Sequence, residues 1–143
     1  MVNKVVARFL DGRVAKGSSL DLDPARPTFH LRPAEGKVQE VRLADLKAVY
    51  FVKDLTGNPA YNDGQDLAED DARAHGAYPI ELTFADGERL VGLTVRYPPV
   101  RPYFWVLPAD TGSNNDRVLV NRAAVVAMGQ PADREAAHDG TEV

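Results

Sequence analysis

Two arginines at repeated positions are the first candidates for binding chemistry in this sequence. Arg26 and Arg101 each stand between prolines, in a first corner (residues 23–27) and a second corner (residues 98–102). Because proline fixes φ, each corner would hold its arginine on a stiff backbone. A guanidinium offers a planar fork of donors that suits phosphate or carboxylate. The alternative is that each arginine bonds carbonyls of its own corner or an acid elsewhere in the chain.

An aromatic cluster follows the second corner. In Tyr103-Phe104-Trp105, strand alternation sends Phe104 toward the core and leaves Tyr103 and Trp105 together on the opposite face. Beside Arg101 these rings could stack nucleobases, or they could form a contact within the chain or between chains, where Trp, Tyr and Arg are favoured. We favour the contact, with Trp105 as a packing anchor. Arg122, in a polar turn, is a further binding candidate.

Other residues argue against catalysis. Asp11 and Asp86 each precede a glycine, which favours a structural turn over a pair of catalytic carboxylates. The sequence places no histidine near Ser18 or Ser19, and it contains no phosphate loop, dinucleotide fingerprint or nucleophile elbow. There is no cysteine, and the three histidines lack the spacing of metal ligands. We therefore expect no enzyme activity, no cofactor and no metal.

Charge and composition narrow the class of partner. The net charge is −4, but residues 1–53 hold ten Lys/Arg against six Asp/Glu, and residues 54–77 hold six acids and one arginine. The basic part could attract an anionic partner or could simply contact the acidic part. No apolar run is long enough for a membrane helix, so we expect no membrane partner. The lack of cysteine fits a reducing cytoplasm, where we expect the protein to be located.

The chain repeats itself. A shift of 75 residues gives nine identities in the 25 positions from 9 to 33, where average residue usage would give about two. Beyond that window a shift of 77 matches Val41 with Val118 and Ala48 with Val125. We interpret the pattern as internal duplication. The predicted parts are a first half (1–53), an acidic connector (54–77), a second half (78–128) and a mobile tail (129–143).

Each half predicts five short strands. The first strand of each half ends in an Asp-Gly pair, which is the strongest short hairpin signal because glycine supplies positive φ. These pairs are Asp11-Gly12 and Asp86-Gly87. Gly17 and Gly92 follow five residues later, where a bend lets one strand serve two sides of a small barrel. The later strands are expected at 13–22, 28–32, 37–42 and 46–52, and at 88–97, 103–107, 117–120 and 123–128, with a short helical turn at 67–73.

This layout resembles the Sm-like family, including its bacterial Hfq branch. The first Sm-like motif is matched by FLDGRVAKG (9–17) and FADGERLVG (84–92), and the second by VRLADLKAV (41–49) and VLVNRAAVV (118–126). The resemblance implies an all-β protein of two tandem five-stranded Sm-like, or SH3-like, small barrels. The sequence is also similar to uncharacterised bacterial proteins that carry a DGR…G…PxRPxFHLxP pattern, a similarity that implies no activity.

The residues that bind RNA in Sm-like proteins are largely replaced. The RNA-reading turn is Leu43-Ala44-Asp45 in the first half, whereas Asn121-Arg122 in the second half keeps one polar and one basic group. The proline corners stand where many Sm proteins have an RNA-contacting loop. We therefore expect the barrel fold of the Sm-like family, but the resemblance does not predict RNA as the ligand.

The expected function is binding or assembly without catalysis, through β-edge pairing and protein–protein contacts. The halves would satisfy one edge pair internally, as a pseudo-dimer, and the remaining edges would pair with other chains or dock a partner protein. The alternative is binding of RNA or single-stranded nucleic acid through the basic first half and the face at residues 101–105.

Overall fold

The protein is built mainly of β-strands, as the sequence predicts. The computed structural model describes residues 3–55, 76–110 and 112–130. In these residues the strands are β1 (Asn3–Phe9), β2 (Val14–Ser19), β3 (Thr28–Leu31), β4 (Gln39–Arg42), β5 (Leu46–Val52), β6 (Tyr78–Phe84), β7 (Arg89–Thr94), β8 (Tyr103–Pro108), β9 (Asn115–Asn121) and β10 (Val125–Gly129). Single 3₁₀ turns at Leu43–Asp45 and Arg122–Ala124 precede β5 and β10.

Several predicted boundaries were wrong. The second strands end at Ser19 and Thr94, a few residues earlier than expected, because the chain leaves the ladder before each proline corner. Gly129, predicted to begin the tail, ends β10 instead. The helical turn expected at 67–73 and the tail after residue 130 lie outside the described residues. No helix in the described ranges is long and apolar enough to cross a membrane.

Eight strands form one sheet, in the order β10-β6-β7-β8-β9-β5-β1-β2, and β3 and β4 form a second sheet. A single bridge between Ser18 and Arg32 connects β2 with β3. The corresponding strands of the second half, β7 and β8, pair at two positions, Gly92 with Pro108 and Leu93 with Leu107. Within the described residues, the fourth and fifth strands of each half do not pair with each other, and the sheets are not closed.

Two hydrophobic clusters form the core, and β5 separates them. All seven residues of β5 are buried, which agrees with its nearly continuous apolar sequence. The first cluster, which we call the Phe84 cluster, contains Val6, Ala48, Tyr50, Val52, Ile80, Leu82, Phe84, Phe104, Val106, Val118, Val120 and Ala124. The second, the Phe29 cluster, contains Val5, Ala7, Phe29, Leu31, Val41, Leu43, Leu46, Val49, Phe51 and Leu119. Each cluster therefore combines side chains from both halves.

The third and fourth strands pair in a similar way in both halves. Phe29 lies opposite Val41 between β3 and β4, and Phe104 lies opposite Val120 between β8 and β9. The third strands thus correspond at a shift of 75 and the fourth strands at a shift of 79, so the predicted shift of 77 was wrong. A slip of two residues leaves every strand side chain on its own face. The apolar pattern therefore fits both alignments, and only the pairing distinguishes them.

The Asp-Gly pairs form the two hairpin turns. Gly12 and Gly87 both have a φ of 94°, a conformation that glycine adopts without a steric penalty. Asp11 accepts a hydrogen bond from the backbone N–H of Arg13, and Asp86 accepts one from that of Glu88, each at 3.0 Å. These contacts are what a turn-forming aspartate provides.

Gly17 and Gly92 are needed because another backbone passes very close to each. A Cβ atom added at Gly17 would lie less than 3.0 Å from the carbonyl oxygen of Arg32, and one at Gly92 would lie equally close to that of Leu107. Neither glycine has positive φ. The constraint is therefore the space between the second and third strands of each half.

Alanine at Gly17 or Gly92 should destabilise the protein, because the atom that a Cβ would meet belongs to backbone and cannot rotate away. We expect the free energy of unfolding, measured by urea denaturation, to fall by about 1–3 kcal/mol for each variant. Gly129→Ala is the matched control, since a Cβ there meets nothing within 4 Å. Equal stability of Gly17→Ala, Gly92→Ala and the control would contradict the close-approach constraint.

Candidate functional site

An antiparallel ladder between β5 and β9 joins the two halves. Ala48 lies opposite Val120, and Tyr50 lies opposite Val118. β5 pairs with β1 on its other side, and β9 pairs with β8. The ladder, which we call the junction, therefore pairs one edge strand of each half inside the chain.

A buried lysine reinforces the junction. The side chain of Lys47, on β5, is 9% exposed, and its Nζ lies 2.7 Å from Asp86 Oδ2 and 2.9 Å from Glu88 Oε1. The ammonium also lies 4.6 Å from the centre of the Phe84 ring. The Tyr50 hydroxyl donates a 2.6 Å hydrogen bond to Glu88. The turn between β6 and β7 in the second half is thereby held against β5 of the first.

The charges of this cluster are matched to each other. The hydrogen bond from Lys47 lowers the pKa of Asp86. Burial raises the pKa of the Tyr50 hydroxyl, and the neighbouring Glu88 charge raises it further. The tyrosine thus stays neutral and donates, while the lysine is paired with carboxylates. This arrangement connects two surfaces, and the raised pKa of Tyr50 keeps its hydroxyl a hydrogen-bond donor near neutral pH.

Asn121 adds a second polar contact across the junction. Its buried side-chain amide donates a 2.8 Å hydrogen bond to the carbonyl oxygen of Leu46, and its Oδ1 accepts from the N–H of Ala123. The residue therefore caps the 3₁₀ turn before β10 and also contacts the first half. The resemblance to Sm-like proteins puts Asn121 in the RNA-reading turn. In the structure its side chain is buried, and its amide binds the backbone of the first half.

The second corner forms one side of an apolar groove. The groove has a volume of about 350 Å³ and is lined by Pro24, Thr94, Val95, Arg96, Pro99, Val100, Arg101, Tyr103, Phe104 and Trp105. It therefore brings together Arg101, Tyr103 and Trp105, three of the residues predicted for binding. Pro24 of the first corner also lines it, so the groove lies where the two corners come close.

Trp105 packs against the first half. Its ring meets that of Phe51 edge-to-face, with the ring centres 5.2 Å apart. The Arg117 guanidinium lies 4.4 Å from the centre of the Trp105 ring and 4.3 Å from that of Phe51. Trp105 and Tyr103 both contact the Phe29 cluster. The indole is thus a contact between the halves, with part of its surface left in the groove.

Two residues that line the groove stand at positions where the first half has a polar pair. Asp21 accepts the backbone N–H of His30 at 2.8 Å and lies 2.6 Å from its ring Nδ1. The same contact lowers the pKa of Asp21 and raises that of His30. At a shift of 75 these positions hold Arg96 and Trp105. Arg96 is not among the binding residues predicted from the sequence, and the exchange of Asp21 for arginine at a shift of 75 is the signal that could have identified it.

The other predicted binding residues lie apart from the groove. Arg26 is exposed in the first corner and does not line the groove. Arg122 is exposed beside β10, where its Nη1 lies 3.4 Å from the sulfur of Met128. Among the described residues, no three His, Asp or Glu side chains form a group that could hold a metal ion.

In the described part of the chain, β4 and β10 each have a side without a ladder or a bridge, whereas β2 and β3, also terminal in their sheets, are joined to each other by the Ser18–Arg32 bridge. β4 pairs only with β3, and β10 pairs only with β6. We call the free sides of these strands the open edges. Val126 on β10 is 67% exposed, and it lies where the register with β6 passes from Val125 to Ala127.

The backbone direction of β4 follows from one hydrogen bond. The N–H of Leu43 donates to the carbonyl oxygen of Pro27 at 2.9 Å, toward β3. Because N–H and C=O groups of successive strand residues point to opposite sides, Gln39 and Val41 also face β3. Glu40 and Arg42 therefore direct their N–H and C=O groups to the open edge.

A single family model covers most of the chain, including both halves. Residues 1–130 match the model of a family of unknown function, DUF6982. The chain belongs to the DUF6982 family. No curated protein and no solved structure matches the chain. In this DUF6982 chain the features that bear on function are the junction, the groove and the open edges.

Replacing Lys47 with methionine should weaken the junction, because Asp86 and Glu88 lose their cationic partner while the buried stem of the side chain is kept. Both carboxylates are about half exposed, so water replaces part of the lost contact. We expect the free energy of unfolding to fall by about 1–2 kcal/mol. Lys16→Met, at an exposed position of β2, is the control. If the two variants have the same denaturation midpoint, the ion pairs do not stabilise the junction.

Proposed function

We propose that the protein is a non-enzymatic assembly module that associates through β-edge pairing. The observation that carries this proposal is the junction, where β5 and β9 meet edge to edge and are covered by apolar side chains on both faces. Strand edges present rows of unpaired N–H and C=O groups that recruit other strands. A chain that already uses one such contact internally has the chemistry to use it again with another chain.

We also propose that the halves are tandem copies of one Sm-like small barrel, arranged as a pseudo-dimer. The repeated register of the third and fourth strands supports this. So do two equivalent turn contacts, in which Leu43 donates to Pro27 and Arg122 donates to Pro102, both at 2.9 Å. In this proposal β4 and β10 are the counterparts of β9 and β5, the strands that form the junction.

The outer contact should be weaker than the junction. At a shift of 79, the apolar Val118 and Leu119 of β9 correspond to Gln39 and Glu40 of β4. On β10, Val126 stands where the first half has Lys47. The open edges thus lack both the apolar cover and the buried ion pairs, and association through them should be reversible.

Light scattering on the pure protein tests edge pairing. We expect the average mass to rise above the 15.6 kDa of one chain as concentration increases, with a Kd of roughly 0.1 mM, or about −5.5 kcal/mol. Glu40→Pro removes an outward N–H from β4. Val126→Pro places a proline at the residue of β10 that has no partner on β6. At least one of these variants should stay monomeric.

The comparison of these variants distinguishes the two edges. Each variant is first checked for an unchanged circular dichroism spectrum and a denaturation midpoint near that of the parent protein. A constant mass of one chain at every concentration would overturn self-assembly. A rise in mass that neither proline affects would exclude edge pairing as its mode.

A second candidate function is binding of RNA or single-stranded nucleic acid at the groove. Arg96, Arg101, Tyr103 and Trp105 line one surface, and no hydrogen bond or ion pair to another described residue neutralises either arginine. Arginines and aromatic rings on one surface are typical of single-strand binding. Against this, Arg117 already lies against the Trp105 ring, which reduces the area available for stacking.

Filter binding of random-sequence RNA tests this second function. With two to three phosphate contacts, affinity should fall about tenfold between 50 and 200 mM salt. Arg101→Ala should weaken retention, whereas Lys16→Ala, an exposed cation on β2, should leave it unchanged. The absence of salt-sensitive retention at micromolar protein would overturn the RNA proposal.

A further inference from the structure

We propose that β4 pairs with β4 of a second copy of this chain, in an antiparallel ladder centred on Val41. The inference rests on the proposed edge-pairing function and adds the partner, the edge and the register. It would give a closed two-fold dimer, in which each strand contacts the same strand of its partner.

The backbone of β4 has the right groups facing outward. Glu40 and Arg42 point their N–H and C=O groups to the open edge, while Val41 between them faces β3. If Glu40 lies opposite Arg42 of the second copy, both residues form hydrogen-bonded pairs in the pattern of an antiparallel ladder. The two-fold axis then passes between the Val41 residues, and the two equivalent pairs give four backbone hydrogen bonds.

The side chains select this register. Glu40 and Arg42 are exposed, and they lie on the same face of the strand because they are two residues apart. In the register centred on Val41 each glutamate faces an arginine of the other chain. Moving the axis by one residue centres the ladder on Glu40 or on Arg42. Glu40 then faces Glu40 of the second copy, or Arg42 faces Arg42, and like charges are opposite each other. Opposite charges stabilise such cross-strand pairs and like charges destabilise them.

The flanking charges follow the same symmetry. Lys37 lies four residues before Val41 and Asp45 lies four residues after it, and both are exposed. Lys37 precedes β4 and Asp45 lies in the 3₁₀ turn after it, so in two antiparallel copies the positive end of one segment lies toward the negative end of the other, outside the ladder itself. Val41 itself is 3% exposed and belongs to the Phe29 cluster, so the ladder would bring these clusters of the two chains side by side.

Arg42 has no ion-pair partner or side-chain hydrogen bond among the described residues. Glu40 has only a distant neighbour, the His30 Nε2 at 3.8 Å. By contrast, Arg13 and Arg89 are each bound to a carboxylate at less than 3 Å. The β4 charges are thus available for a partner chain.

The other open edge offers no such selection. β10 carries Val125, Val126, Ala127, Met128 and Gly129, without a charged side chain. Pairing β10 with β4 of another chain would leave Glu40 and Arg42 opposite apolar residues. Charge complementarity therefore favours the self-pairing of β4 over a head-to-tail contact.

Charge-reversal variants of the full chain test the register. In Glu40→Arg every cross-strand pair becomes arginine against arginine, and in Arg42→Glu every pair becomes glutamate against glutamate. We expect each variant alone to dimerise about tenfold more weakly than the parent protein in sedimentation velocity, because two like-charge pairs replace two opposite-charge pairs. An equimolar mixture of the two variants should recover the parent affinity, because arginine then faces glutamate at both pairs.

Recovery in the mixture separates pairing from misfolding, since a folding defect in either variant would not be repaired by the other. Lys16→Glu carries the same charge change as Arg42→Glu on the exposed face of β2, and it should leave dimerisation unchanged. Parent protein that associates while Glu40→Arg and Arg42→Glu associate equally well would overturn the β4 register and leave edge pairing through β10 standing. Parent protein that stays monomeric would overturn the dimer and the self-assembly proposal together.

Discussion

The antiparallel ladder between β5 and β9 is the contact on which the rest of the structure depends. It places β5 between two other strands, so that alternate side chains of β5 enter the Phe84 cluster and the Phe29 cluster. It also brings Lys47 to the carboxylates of Asp86 and Glu88. Burying the Lys47 ammonium is tolerable because it is paired with these two partly exposed carboxylates. The ladder thus joins the two halves through their backbones, and the ion pairs hold the β6–β7 turn against β5.

The two halves pair their third and fourth strands in a similar way but differ in the residues on their surfaces. Positions that hold the Asp21–His30 pair in the first half hold Arg96 and Trp105 in the second, and the groove is found there. Residues that cover the junction in β9 are replaced by Gln39 and Glu40 in β4. Polar and charged side chains on an open edge are a common means of limiting uncontrolled pairing. A charged edge can still accept a partner whose charges match.

Local signals in the sequence predicted the strands, but the contacts between residues far apart in the chain could not be predicted from it. The Asp-Gly turns and the mainly β fold follow from short-range preferences that a few neighbouring residues express. The shift of 79 was missed because Val118 and Val120 lie on the same face of β9, so that either valine can be aligned with Val41. Lys47 was missed because a lone lysine in an apolar run says nothing about a carboxylate 39 residues away. The sequence predicted one site for Arg101, Tyr103 and Trp105 because these residues are close together in the chain. Arg96 was not included because it precedes the second corner.

The shared clusters have a consequence for how the protein melts. In a stacked repeat protein each unit contacts only its neighbours, so that units can be lost one at a time. Here Val6, Ala48, Tyr50 and Val52 complete a cluster of the second half, and Leu119 completes one of the first. Opening either half would expose apolar surface of the other. We therefore expect the described strands to unfold as a single cooperative unit, because neither half has a complete interior of its own.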